Sequence, residues 1–289
     1  MDYGVRSVLA FGRTIVSCIR PITNHFTYTT HSGIAAGLKR RGGIGFLPRS
    51  LTEEERFYQT LDLRGKTVYD IGSYEGIFSL FAARAVGPTG HLIVCEPNPE
   101  SLRRTSTNLL LNNFDCHPVV KNVALGEEPG ELKMFYPLRE PARATLDATL
   151  AEAYRRHGES LATCTVEVAT LDTLVAGGLP VPDFVKIDTE GFELNVLKGG
   201  MKTLAAFGPE LFMELHGSSP ENWRSNRAAI HALLELLGYE TLNMNRQPVV
   251  AETQHVSHLY CKKHTQARQA RQQDAFVPDT CGRRSKDGL

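Results

Sequence analysis

The chain has 289 residues, 42% of them hydrophobic and 22% charged, with 32 basic against 32 acidic side chains. That length and apolar content suit one large α/β domain with appendages, or two small ones, around a sizeable core. A net charge of zero removes any global electrostatic case for nucleic acid or for an acidic membrane surface.

The six cysteines (18, 95, 116, 164, 261 and 281) form no C-x-x-C pair. They suggest neither a zinc ribbon nor a disulfide framework, and they fit a reducing, cytoplasmic setting. Residues 1–60 read as a helical and basic lead-in. Its first 26 residues are interrupted by Arg6, Arg13 and Arg20, so they lack the roughly 18–20 uninterrupted apolar residues of a membrane span. They also lack a cleavable signal pattern and read as an amphipathic helix packed on the protein. The lead-in ends in "GLKRRGGIGFLP" (37–48). Its Lys39-Arg40-Arg41 run reads as a solvated face or as a holder for an anionic acceptor. Thr52 with Glu55 three residues on has the spacing of a capping box.

From there strands and helices alternate. "TVYDIG" (67–72) reads as a buried strand and "GIFSLFAARAVG" (76–87) as a helix. "HLIVCEP" (91–97) is the next strand, after which Asn98 and Pro99 supply an N-cap and a first-turn proline. "PVVKNVAL" (118–125) and "ELKMFYP" (131–137) read as strands, and residues 138–163 as an excursion over the sheet. "CTVEVATLDTLV" (164–175) alternates apolar and polar residues; "PDFVKID" (182–188) is a buried strand, and "LNVLKGGMKTLAAFG" (194–208) a helix. "ELFMELHG" (210–217) follows as a strand, then a helix started by Ser218, Pro220 and Glu221. "YETLNMN" (239–245) and "HVSHLYCKK" (255–263) close the domain as an antiparallel pair, and 264–289 read as a polar, disordered tail. The predicted fold is α/β: a Rossmann-like, mostly parallel sheet with an antiparallel closing strand and helices on both faces.

Such sheets bind ligands at the carboxyl ends of their strands, near the switch in strand order. The first exit, "DIGSYEG" (70–76), places Gly72 and Gly76 around a strand-to-helix turn. A dinucleotide binder would need G-x-G-x-x-G there; Tyr74 and Ile77 stand where its second and third glycines would be. That counts against a Rossmann-type oxidoreductase. A ligand with an amine, a carboxylate and a ribose fits better. Asp70 can accept from an ammonium, the helix start beyond Gly72, Ser73 and Gly76 can hold a carboxylate, and Glu96, ending the second strand, can accept from ribose hydroxyls. S-adenosylmethionine meets all three demands.

The chain resembles the FkbM-type family of class I S-adenosylmethionine-dependent methyltransferases over about residues 61–263. The resemblance is carried by "TVYDIGSYEGIFSLFAARA", "VCEPNPES", "NVALGEEPGELKMFY", "TLDTL" and above all "VKIDTEGFELNVLKGG" followed by "LFMELHG". It implies methyl transfer to a hydroxyl group of a small molecule or sugar, with a small-molecule or carbohydrate acceptor and no nucleic-acid partner. By the same resemblance Asn122 and Val123 would approach the adenine. The family commonly has asparagine where this chain has Tyr74, which gives some footing to a rival reading, a cofactor-binding module without turnover.

The remaining carboxylates lie at "KIDTEGFE" (186–193). Asp188 would emerge beside the sulfonium as base, substrate anchor or metal ligand. Glu190 shares its parity, and Gly191 permits the turn into the following helix. Glu193 in that helix's first turn reads as a dipole partner. His216 is a second base candidate. Glu214 and Asp188 together are compatible with a divalent cation such as Mg²⁺, which favours oxygen ligands, although the spacing does not require one. His255 and His258, three apart on a strand, face opposite sides and make no ligand pair.

Overall fold

The computed structural model of the chain describes residues 25–138, 143–249 and 256–263. The expected N-terminal amphipathic helix, the C-terminal tail and His255 lie outside these residues. Five parallel strands form the centre of a seven-stranded sheet: β3 (Thr67–Ile71), β4 (His91–Cys95), β5 (Val119–Lys121), β9 (Phe184–Ile187) and β10 (Glu210–Glu214). Two more, β11 (Tyr239–Leu242) and β12 (His258–Lys263), close it, giving the order β11-β12-β10-β9-β3-β4-β5. β12 is antiparallel to both neighbours, β10 and β11. The chain runs outward from β3 through β4 to β5, then returns to β9 on the other side. The exits of β3 and β9 therefore sit side by side at the switch point, where a crevice must open.

Both faces are covered, as a near-continuous apolar parallel sheet requires. Side-chain alternation sends Tyr69 and Ile71 into one core with Val196, Leu204 and Ile230. Val68 goes to the other core, against Phe57, Tyr58 and Leu80. The helices on the first face are α6 (Glu193–Lys198), α7 (Met201–Phe207) and α8 (Pro220–Leu236). On the second are α1 (Glu53–Tyr58), α2 (Ile77–Val86) and α3 (Pro99–Leu110). The local signals hold: Thr52 and Glu55 form the capping box of α1, and the Asn98 side chain accepts from the N–H groups of Glu100 and Ser101 at the start of α3.

The structure departs from the sequence reading in four places. Residues 118–125 are not one strand; β5 ends at Lys121, and β6 (Ala124–Leu125) joins a separate three-stranded sheet, β6-β8-β7. In that sheet β7 spans Gly130–Pro137 and β8 Leu161–Ala169, and β8 stops where Thr170 caps a short helix, α5 (Leu171–Ala176). The predicted helix over 194–208 is broken at Gly199-Gly200. A Cβ on Gly199 would lie 1.9 Å from the Gly126 oxygen, so that close approach excludes a side chain. Finally, α8 is capped by Ser219, whose hydroxyl accepts from the Asn222 N–H, and not by Ser218.

Between β7 and β8, α4 (Ala148–Arg156) is capped by Asp147. Near the amino end, β1 (Thr27–Thr29) and β2 (Lys39–Arg41) pair as a hairpin beside α3. Among the described residues no helix is long and apolar enough to cross a membrane.

Candidate active site

A cavity opens at the carboxyl ends of β3, β4 and β9, the place where sheets of this kind bind small molecules. Gly72 and Glu96 line it from the β3 and β4 exits, and Asp188, Glu190 and Glu214 from the β9 and β10 exits. Val123, Leu125, Met134, Leu146 and Phe192 supply an apolar wall.

The Gly72 turn is built by backbone geometry. Gly72 has φ +81°, and a Cβ there would lie 1.8 Å from the Asp188 carbonyl oxygen. Only glycine lets the two exits touch. Tyr74 follows in the left-handed region, φ +49°. Its N–H donates to Glu96 Oε2 (2.8 Å) and its carbonyl accepts from Thr105 Oγ1 (2.8 Å). These two bonds hold the loop backbone while the Tyr74 residue lines the cavity. Ser73 lies within 3.3 Å of the same Thr105 hydroxyl, and Gly76, φ +75°, caps α2 against Thr105. The other Glu96 oxygen accepts from the Asn98 N–H (2.9 Å). Burial pushes the Glu96 carboxyl up to about 7, against the pull of these two N–H donors.

Asp70 lies deeper than its place at a strand end suggests. It shares the parity of Val68, so it points toward α2, where Ser79 Oγ donates to it. It is fully buried, 3.8 Å from Lys186 Nζ. Burial raises its carboxyl while Lys186 and Ser79 lower it. The charge of Asp70 is thus felt at the cavity through Lys186. Asn122 also stands behind the wall, donating to the carbonyls of Glu96 and Pro97 (both 2.9 Å), whereas Val123 lines it.

At the β9 exit, Lys186 Nζ donates to Asp188 Oδ2 at 3.0 Å. Burial works against the ionised Asp188, but the charges of Lys186 and His216 outweigh it and hold the carboxyl below its ordinary range. Glu190 is the second non-glycine residue of the site in the left-handed region, φ +50°. Its carbonyl accepts from Thr145 Oγ1 at 2.6 Å, which pins the turn from outside. Burial pushes its carboxyl up to about 7; His216 opposes that shift, and Asp188 and Glu214 add to it.

His216 stands behind this face. Its Nδ1 is 3.0 Å from Glu193 Oε1, and its Nε2 is 3.6 Å from Glu190 and 3.7 Å from Glu214. Burial alone would lower the imidazole, but the Glu193 bond and the charges of Glu193, Glu190 and Asp188 raise it to about 10. At neutral pH both ring nitrogens therefore donate. Glu193 stands in the first turn of α6, as expected, and does more there. It is fully buried, accepts from the Gly191 N–H (2.9 Å), and orients the histidine. No sequence signal links it to a histidine 23 residues away; only folding does.

Asp188, Glu214 and His216 each offer one ligand atom within 4.8 Å of the others. That spacing suits a divalent ion. In this structure Lys186 beside Asp188, and His216 and His258 beside Glu214, are the basic groups that face these carboxylates.

Residues 70–241 match the profile of the methyltransferase FkbM domain. Methyltransferase sdnD of Sordaria araneosa is 27% identical over 197 residues, covering 60% of this chain and 73% of that protein. Among solved structures, methyltransferase FkbM of Methylobacillus flagellatus KT aligns with TM-score 0.44 and 18% identity, over 70% of this chain. This chain spans only 45% of that protein's length. A SAM-dependent O-methyltransferase of Thermotoga maritima aligns with TM-score 0.40 and 13% identity, over 73% of this chain and 64% of that one. With well over half of its length inside the matched domain, the chain belongs to the FkbM family of S-adenosylmethionine-dependent methyltransferases.

Proposed function

We propose that this protein moves the methyl group of S-adenosylmethionine to a hydroxyl oxygen on a small molecule or sugar. The carrying observation is one cavity lined both by Glu96, a carboxylate that can accept from a ribose, and by Glu190, a carboxylate suited to proton abstraction. The residues present fit the cofactor. The turn at Gly72 carries no side chain, the wall is apolar, and Glu96 keeps lone pairs beyond the two it uses.

When bound, the cofactor supplies an electrophilic methyl group on a sulfonium. Glu190 accepts the acceptor's hydroxyl proton as the new carbon–oxygen bond forms. Asp188, held ionised by Lys186, offers negative charge to the cationic donor. His216, fixed by Glu193, adds positive charge beside Glu190 and opposes the burial that raises its carboxyl. A positioned base is worth about 10²–10⁴-fold, and alignment of donor and acceptor up to roughly 7–11 kcal/mol.

The acceptor faces Asp188, Glu190 and Glu214, which favours neutral hydroxyl compounds over anionic ones. The test is transfer of labelled methyl from S-adenosylmethionine to a panel of neutral polyols, sugars, phenols and amines. An alkali-stable ether in the product supports the reading, and label confined to nitrogen would end it.

A divalent ion held at Asp188, Glu214 and His216 is a second reading, favoured by their 4.8 Å spacing. It would polarise the acceptor oxygen in place of the imidazolium. A chelator that abolishes turnover, with Mg²⁺ restoring it, would support that version. Turnover unchanged by chelator would support the metal-free one.

A further inference from the structure

The basic, glycine-rich segment before the methyltransferase domain is neither a solvated face nor an acceptor clamp at its centre. Lys39 and Arg41 are exposed, but Arg40 between them is buried, 4% exposed, and meets a buried carboxylate, Glu75, also only 6% exposed. Arg40 Nη2 lies 3.1 Å from Glu75 Oε2, and Arg104 Nη1 lies 2.9 Å from Glu75 Oε1. Glu75 sits in the glycine loop, between Tyr74 and Gly76.

The surroundings are shaped to this pair. A Cβ on Gly45 would come within 2.9 Å of Arg40 Nη1, and one on Gly43 within 3.3 Å of Glu75 Oε2. The β2 backbone is also tied to α3: the Arg41 N–H donates to Asn108 Oδ1 (2.8 Å), and Asn108 Nδ2 donates to the Glu75 carbonyl (3.0 Å). Asn112, one turn later, binds the Lys39 N–H and carbonyl. The hairpin is therefore a strap across α3 that ends on the loop.

Buried ion pairs contribute little net stability, because desolvation offsets the attraction. Here the cost is visible, since Arg40 Nε is buried without a hydrogen-bond partner. What the pair does supply is position. Glu75 is flanked by Tyr74 and Gly76, both in the left-handed region, and the Tyr74 N–H is the donor that orients Glu96.

We infer that Arg40 is a positioning residue for the cofactor: through Glu75 it holds the Tyr74–Gly76 turn, and with it Glu96, in the arrangement that receives S-adenosylmethionine. The inference rests on the cofactor reading of this cavity. It makes the N-terminal strap a working part of the cofactor site rather than a passive extension.

The test is calorimetric binding of S-adenosylhomocysteine to wild type, Arg40→Ala, Arg40→Lys and the exposed-charge control Arg41→Ala. Acceptor KM and kcat are measured at saturating cofactor. Arg40→Ala should raise the homocysteine Kd about tenfold, the scale of residues that act through a neighbour. Arg40→Lys should recover part of it, and Arg41→Ala should leave it unchanged. Acceptor KM and kcat should stay within about twofold in all three.

An unchanged Kd in folded Arg40→Ala would overturn the inference, as would an equal loss in Arg41→Ala or a change confined to acceptor KM. If Arg40→Ala does not fold, Glu75→Gln breaks the same pair and must show the same rise in Kd; no rise overturns the inference. Failure of wild type to bind would overturn the cofactor reading itself, whereas tight binding by wild type and Arg40→Ala alike would overturn this inference alone.

Discussion

The exits of β3 and β9 lie side by side and are built alike, yet they treat charge in opposite ways. Each places one non-glycine residue in the left-handed region, Tyr74 at φ +49° and Glu190 at φ +50°, with a glycine of positive φ shortly after. Around the β3 exit the carboxylates are answered. Glu96 takes two backbone N–H groups, Glu75 takes two arginines, and Asp70 takes Ser79 and the charge of Lys186. Around the β9 exit Glu190, Glu193 and Glu214 gather on the His216 ring, His258 also lies 3.8 Å from Glu214, and Lys186 bonds Asp188. The first exit is pre-organised to hold a ligand. The second keeps charge that is only partly compensated: burial raises Glu190 as it raises Glu96, but at Glu190 the charges of Asp188 and Glu214 add to the shift.

The sharpest way to break this comparison is Glu190→Gln. It should lower kcat by about 10²–10⁴-fold and leave S-adenosylhomocysteine affinity within about twofold. Equal losses at both would erase the division between the two exits. The same carboxyl sets a pH dependence. Glu190 accepts a proton only when ionised, so activity should rise with pH and level off above about 7. Glu96, pushed up to a similar value, is told apart by substitution: the rising limb should survive Glu96→Gln and vanish in the residual activity of Glu190→Gln.

Next in size is Gly72→Ala. A methyl group at φ +81°, 1.8 Å from a backbone oxygen, should destabilise the fold by roughly 2–6 kcal/mol, combining backbone strain with overpacking. Thermal unfolding reads it, and a melting temperature within a degree of wild type would show that the exits do not need to touch.

Glu96→Ala should remove the stabilisation by S-adenosylhomocysteine. In wild type that is about 2.7 kcal/mol at 100 times Kd, or several degrees at roughly 2–4 °C per kcal/mol. A ligand-induced shift equal to wild type would place the ribose elsewhere. The smallest effect sharpens the second exit: Glu193→Gln weakens the bond that raises His216, so the imidazole should titrate below its value of about 10. NMR titration of the ring proton measures it, and an unmoved midpoint would assign the shift to Glu190 and Asp188.

Much of this molecule was legible before folding because it is encoded over short distances. Hydrophobic period, caps and breakers place the parallel strands, the capping box at Thr52 and the Asn98-Pro99 start. Glycine spacing marks the β3 exit, and "KIDTEGFE" marks the acidic edge that Asp188 and Glu190 present to the cavity. The errors arose where a local pattern was overruled from a distance. The apparent strand 118–125 divides because Ala124 and Leu125 pair with β8, and the apparent helix 194–208 breaks because Gly199 meets Gly126.

Sequence by itself determined the family, the α/β alternation and the strand ends that carry carboxylates, since period and backbone permission are properties of neighbouring residues. Only the tertiary structure decided which charges answer one another. Arg40 meets Glu75 across 35 residues and His216 meets Glu193 across 23, and Asp70 turns from the cavity toward Ser79. A side chain's partner is chosen by packing, and burial fixes what that partner does to its charge.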